Sequence, residues 1–205
     1  MPGRIISFGI AMTSTWQNAN GEVIGATSSM QIQQSTIKPQ FYVSIINEQG
    51  NGPARSPGTG TVTGGSGLNS TEGVTQVVRA AGDHNAAYNN VDITVTRANQ
   101  APTTQQQGQA LAAGSTLVDA NGAGSLSISS AGTGVQLNIV ANNNQGSTVQ
   151  RLAQGGLMQN ATLLGGGNQV RNLTSLNVVL RDNVPTAGSL NGNLDQLKGL
   201  RGLGF

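Results

Sequence analysis

His84 is the only histidine in the chain, so any imidazole chemistry must pass through it. It lies in Asp83-His84-Asn85, and the chain has no cysteine. A zinc or transition-metal site draws its ligands from several His, Cys or carboxylate side chains. A single His without Cys predicts no metal centre. Serine chemistry needs a hydroxyl beside a base. Gly64-Gly65-Ser66-Gly67 lacks the G-x-S-x-G pattern that lifts a nucleophile onto a sharp turn. The eight acids are never closer than nine residues in sequence. A glycosidase carboxylate pair would have to be assembled by the fold, with Trp16, Tyr42 and Tyr88 as the only Trp and Tyr for sugar stacking. No EF-hand loop and no G-x-x-x-x-G-K phosphate loop occurs. The sequence therefore predicts no catalytic, cofactor-binding or metal-binding residues.

A different set of residues carries a pattern. Gly73-Val74-Thr75-Gln76 is followed by Gly82, Asn85, Asn89, Ile93 and Val95. Eighty-three residues on, Gly156-Leu157-Met158-Gln159 is followed by Gly165, Asn168, Asn172, Leu176 and Val178. Both read G-ø-x-Q-x5-G-x-x-N-x3-N-x3-ø-x-V, where ø is apolar. None of the matched residue types is a good nucleophile, acid or base. The repeat is of a shape. Gly82 and Gly165 are expected at the positive φ of a tight arc, and Asn tolerates that region and bonds its own backbone. Stacked arcs would align their Asn and Gln side chains into ladders of amide hydrogen bonds. A weaker echo surrounds Asn144, with Leu152 eight residues on.

The elements around the repeat are strands. Ile6, Phe8, Ile10 and Met12 alternate with small residues, and Met30 and Ile32 alternate with Ser and Gln. With Asn20-Gly21 as a type I′ turn between them, these make a long hairpin. Phe8, Ile10, Met12, Met30 and Ile32 should face the core, and Ser7, Gln31 and Gln33 the other side. Further strands are expected at residues 41–46, 91–96, 116–118, 125–129, 135–139, 148–152 and 173–180. Residues 59–63 offer at most a short edge strand. Residues 103–113 form either a short glycine-capped helix or a polar loop. The resulting division is a hairpin unit at 1–48, a Gly/Pro-rich loop at 49–67, a repeat-bearing region at 68–184 and an apolar tail at 185–205. In the tail Leu194, Leu197, Leu200 and Leu203 recur every third residue before Phe205. Leu200, Leu203 and Phe205 need a surface to cover them and are candidates for self-association.

Composition agrees. Charged residues are 9% of the chain, against ~25% in an ordinary soluble domain. Aromatics are 3% and glycines number 30 of 205. Such a chain is too apolar and weakly charged for charge-driven disorder, and too poor in helix formers for an α fold. The eight Arg are scattered, so nucleic-acid binding has no electrostatic footprint. A net charge of +2 gives little repulsion between copies. No apolar run reaches the ~18 residues of a membrane-spanning helix. Met1-Pro2-Gly3-Arg4 lacks the apolar core of a signal peptide, and the expectation is that an initiator Met stands where such a signal was.

The pattern Gln76…Gly82-Asp83-His84-Asn85 and Gln159…Gly165-Gly166-Gly167-Asn168 resembles the curlin-type repeats of bacterial functional amyloid subunits. The Gly/Asn/Gln/Val composition is similar to that of Fap-type fibre proteins. The resemblance implies an exported, self-associating β-protein of a biofilm matrix or cell surface. The expected fold is all-β: a β-solenoid-like stack of short strands with the N-terminal hairpin at one end, or else a β-sandwich exchanging strands between subunits. The expected function is a non-enzymatic structural subunit or accessory of a bacterial extracellular fibre. Its partners would be copies of itself, and other matrix proteins or polysaccharide. The alternatives are a carbohydrate- or surface-binding adhesin around Trp16 and Tyr42, and a phage or virion fibre component.

Overall fold

The computed structural model describes residues 4–33, 35–36, 39–53, 58–65, 72–103, 105–131, 134–153 and 155–182. Ser66 and the C-terminal segment, with Leu200, Leu203 and Phe205, lie outside the described residues. Twelve strands are described: β1 (Ile5–Gln17), β2 (Val23–Gln33), β3 (Phe41–Glu48), β4 (Gly73–Ala80), β5 (Ala86–Ala98), β6 (Gln109–Leu111), β7 (Thr116–Asn121), β8 (Gly124–Ala131), β9 (Gly134–Ala141), β10 (Gly146–Ala153), β11 (Gly156–Leu163) and β12 (Gln169–Arg181). A short 3-10 turn at Asn142–Asn144 is the one helical piece among them.

The strands form two six-stranded sheets. One runs β5-β12-β1-β2-β3-β6, the other β4-β11-β10-β9-β8-β7. They pack face to face, β1 over β9 and β10, β2 over β8 and β9, β3 over β7. Period-2 alternation drives this packing, because it gives each strand one apolar face to bury. Ile10, Met12 and Trp16 of β1 meet Ile24, Ala26 and Met30 of β2 and Leu126, Ile128, Leu137 and Ile139 of β8 and β9 in one buried core. With Phe8 and Ile32 partly buried against that core, the hairpin alternates as expected. Ser7 departs from expectation: it sits on the outer face yet is buried. Residues 99–103 and 105–108 cross that face. Gln33 Nε2 bonds the Pro102 carbonyl at 2.8 Å, and Pro102, Gln105 and Gln106 line the same hollow as Ser7 and Gln31.

Local corrections follow from hydrogen bonding. In the β1–β2 turn only Gly21 has positive φ, so it is no type I′ turn. Asn18 Oδ1 instead accepts the N–H groups of Asn20 and Glu22, both at 3.0 Å, and holds a wider loop. Residues 59–63 form no strand. Residues 109–111 within the expected helix-or-loop stretch form β6, because the free edge of β3 supplies partners: Phe41, Tyr42 and Val43 pair with Leu111, Ala110 and Gln109. The expected echo near Asn144 is no arc. Asn143 and Asn144, both at positive φ, turn β9 back into its antiparallel neighbour β10.

The all-β reading holds. Its solenoid-like part is confined to one end, where β4 and β5 lie alongside β11 and β12, and the remainder is an antiparallel sandwich. The N-terminal hairpin occupies the middle of its sheet, with β12 on one side and β3 on the other. Strands from residues 1–48 and 68–184 thus share a sheet. Among the described residues no helix is long and apolar enough to cross a membrane.

This packing sets the stability ranking. Leu137→Ala, at a fully buried site, should cost about 2–5 kcal/mol. Val118→Ala, at 73% exposure on β7, should change stability by less than about 0.5 kcal/mol. Urea denaturation followed by circular dichroism measures both.

Candidate functional site

The two copies of the repeat are stacked on one another. β4 crosses to the opposite sheet through residues 81–85 and becomes β5, and β11 does the same through residues 164–168 into β12. Each copy is therefore an arc with one limb in each sheet. The limbs pair in parallel, Gly73 with Gly156 and Gln76 with Gln159 in one sheet, Asn89 with Asn172 and Ile93 with Leu176 in the other. Every partner is 83 residues away, so equivalent positions of the repeat lie side by side.

The matched amides bond across the stack. Gln76 Nε2 donates to Gln159 Oε1 at 2.7 Å. Asn172 Nδ2 donates to Asn89 Oδ1 at 2.9 Å. Asn85 Oδ1 accepts the Asn168 backbone N–H at 3.0 Å, while Asn85 Nδ2 donates to the Gly165 carbonyl at 2.6 Å. The second arc is also tied into the sandwich. Asn172 Nδ2 reaches Thr148 Oγ1 of β10 at 2.7 Å, and Asn172 Oδ1 lies 2.8 Å from Ser14 Oγ of β1. Gln159 Nε2 donates to the carbonyls of Asn90 and Asn172 at 3.0 and 3.2 Å. Gln150 Nε2 donates to Thr174 Oγ1 at 2.5 Å, and Trp16 Nε1 to Asn168 Oδ1 at 3.3 Å. Ser14, Thr148, Gln150, Gln159, Asn168, Asn172 and Thr174 are all buried. A buried polar group without a partner costs about 1–3 kcal/mol, so such a seam is stable only when its members satisfy one another.

The glycines of the repeat act otherwise than expected. Gly82 and Gly165 do not have positive φ. A Cβ on Gly82 would drive into the Gly165 carbonyl, and one on Gly165 into the Gln145 side chain. Gly82 is needed because the two arc backbones approach closely, and Gly165 because the Gln145 side chain packs against its Cα. The positive φ falls two residues later, at His84 (59°) and its register partner Gly167 (74°). His84 is exposed on this turn, and among the described residues no three His, Cys or carboxylate side chains gather to hold a metal. Sequence reasoning missed Ser14, Gln145, Thr148, Gln150 and Thr174. Their signal was present for Ser14, Thr148, Gln150 and Thr174, since each is a polar residue at a core-facing parity of an otherwise alternating strand.

Among the described residues, β4 and β5 have partners on one side only. The first arc therefore ends the sandwich, and while Ala87 and Val91 pack against the core, others of its core-facing side chains are uncovered. Val74 is 54% exposed where its partner Leu157 is 5%, and Val78 is 47% where Ala161 is 0%. Ile93 is 58% exposed where Leu176 packs on the core. Exposed apolar side chains on an unpaired strand edge mark an interaction site.

In-register parallel arcs bonded through uncharged amides, with no cluster of His, Cys or carboxylate side chains among the described residues, define a β-protein whose repeated geometry is a stacking surface. Comparison with known proteins gives the family. Over 206 residues the chain is 52% identical to the functional amyloid subunit FapE of Pseudomonas fluorescens, an alignment covering all of this chain and 83% of the relative. Over 209 residues it is 40% identical to the functional amyloid subunit FapE of Pseudomonas aeruginosa, again covering all of this chain and 80% of the relative. The chain belongs to this FapE family of functional amyloid subunits. No family model matches the chain, and no solved structure does.

Two substitutions test the arc geometry. Asn172→Leu strips partners from Asn89, Thr148 and Ser14, and should cost more than about 2 kcal/mol. His84→Gly removes a strained left-handed residue, a gain of roughly 1–2 kcal/mol partly offset by the entropy of glycine, and should raise stability by about 0.5–1 kcal/mol. Thermal and urea melts report the signs. A stabilised Asn172→Leu would contradict the seam.

Proposed function

We propose that this chain is a non-enzymatic accessory subunit of an amyloid fibre in the extracellular matrix or at the surface of a bacterium. It associates with other components of the fibre through β-strand edges. The observation that carries this is the stack of two arcs of matched skeleton inside a single chain, in which one copy of the repeat pairs with the other by main-chain bonds and amide ladders. Family membership supports the same reading. The repeat positions Gly73, Gln76, Gly82, Asn85, Asn89, Gly156, Gln159, Gly165, Asn168 and Asn172 serve in it as structural residues. Leu200, Leu203 and Phe205 are a further proposed contact between chains. The adhesin reading has less to stand on, since Trp16 is buried between the sheets and unavailable to a sugar.

Co-sedimentation tests the proposal. Purified chain mixed with functional amyloid fibres from Pseudomonas fluorescens should pellet with them and saturate at a small fraction of the fibre subunit concentration. A chain that stays in the supernatant at every ratio would overturn the accessory reading. Retention on a polysaccharide resin instead would favour the adhesin.

A further inference from the structure

The geometry points to a one-ended fibre cap: the open edge of β4 and β5 receives the terminal arc of a fibre built from repeats of the same G-ø-x-Q-x5-G-x-x-N-x3-N skeleton, and the sandwich behind it prevents further stacking on that side. This deepens the accessory reading above and rests on it.

Among the described residues no strand pairs with this edge, and it is ready for one more rung. The Gly73 N–H bonds the Gly155 carbonyl and the Ala81 N–H bonds Leu163, so odd-numbered N–H groups of β4 face β11. The N–H groups of Val74, Gln76 and Val78 therefore face outward. On β5 the Ala86 N–H bonds Asn168, which leaves the N–H groups of Asn89, Ile93 and Val95 outward. Repeating the displacement that relates the second arc to the first sets the next contacts. An incoming Gln amide would donate to Gln76 Oε1, as Gln76 donates to Gln159. An incoming Asn carbonyl would accept the Asn85 N–H, as Asn85 accepts that of Asn168. Val74, Val78 and Ile93 would be covered by the new arc's apolar positions.

The other side of the stack is closed. β11 and β12 are already paired with β10 and β1. At the far end of the sandwich β6 is three residues long, and β7 carries Asp119 bonded by Asn47 Nδ2 at 2.8 Å. Short strands and charge blunt an edge against pairing. The incoming arc cannot come from a second copy of this chain, because the second arc has no free edge and the first has only the one. A twofold contact would run two first arcs antiparallel and break the ladders. Parallel stacking of identical arcs would also set Asp92 beside Asp92, where the chain itself sets Asp92 beside Ser175. The occupant is a repeat-bearing fibre subunit whose terminal arc has its own edge free.

The test labels fibre ends. A cysteine introduced as Val118→Cys, at the exposed far edge, carries one fluorophore on the full chain, which has no other cysteine. Fragmented functional amyloid fibres purified from Pseudomonas fluorescens serve as the probe, and single-fibre fluorescence counts label positions. The expected result is one label per fibre, at one end, with subunit addition stopped there and continuing at the other. A second variant, Val78→Pro with Ile93→Pro, removes two outward N–H groups of edge strands, where proline is tolerated. It should keep its melting temperature and lose end labelling at least about tenfold. Labels along the sides, labels at both ends, or equal labelling by the edge variant would overturn the cap while leaving an accessory that pellets with fibres. If labelling appears only after residues 183–205 are removed, that segment is the natural occupant of the edge and the proposal falls. Absence of all binding removes the accessory reading as well.

Discussion

The structure depends on neutral amides satisfying one another between two sheets. Asn172 shows the constraint most fully: both of its N–H groups and its carbonyl are engaged, to Asn89, Thr148 and Ser14. Gln159 is placed likewise, accepting from Gln76 and donating to backbone carbonyls of the facing sheet. Each such bond contributes only about 0.5–1.5 kcal/mol net, but each orphan would cost more than that. The seam therefore tolerates one register. A shift of the first arc by a single residue would set Gln159 beside Thr75 or Val77 and turn that arc's core-facing side chains to the other face.

This constraint accounts for the composition. A carboxylate or ammonium in the seam would need an opposite charge or several donors to offset its desolvation. Amides carry a donor and an acceptor at no net charge, so copies can lie side by side without repulsion. That is why Gln, Asn, Ser and Thr fill the interface between arc and sandwich, and why charges are scarce. The same logic makes the arc recognisable to its like. What holds residues 156–181 against 73–98 is carried by the repeat itself.

Much of this was legible in the sequence. The 83-residue offset of the repeat is the register offset of both parallel pairs, because matched glycines and amides must coincide for the ladders to close. The hairpin faces followed from alternation. Other features were not legible. The role of Gly82 lies in close approach across the stack and that of Gly165 in making room for the Gln145 side chain, neither of which a single arc reveals, and the positive φ fell instead on His84 and Gly167. The burial of Ser7 depends on Pro102, Gln105 and Gln106 crossing an outer face. β6 exists because β3 offers an edge, a tertiary gain over weak local preference. Gln145 has meaning only once the β9–β10 turn meets the second arc.

The most direct test of the central claim is side-chain amide exchange and proximity by NMR on the full chain, labelled at Asn and Gln. The NH2 groups of Gln159 and Asn172 should exchange with solvent far more slowly than that of exposed Asn177, and cross-peaks should connect Gln76 with Gln159 and Asn89 with Asn172. Exchange of Gln159 and Asn172 at the rate of exposed amides, or cross-peaks linking the arcs at any offset other than 83 residues, would contradict the account.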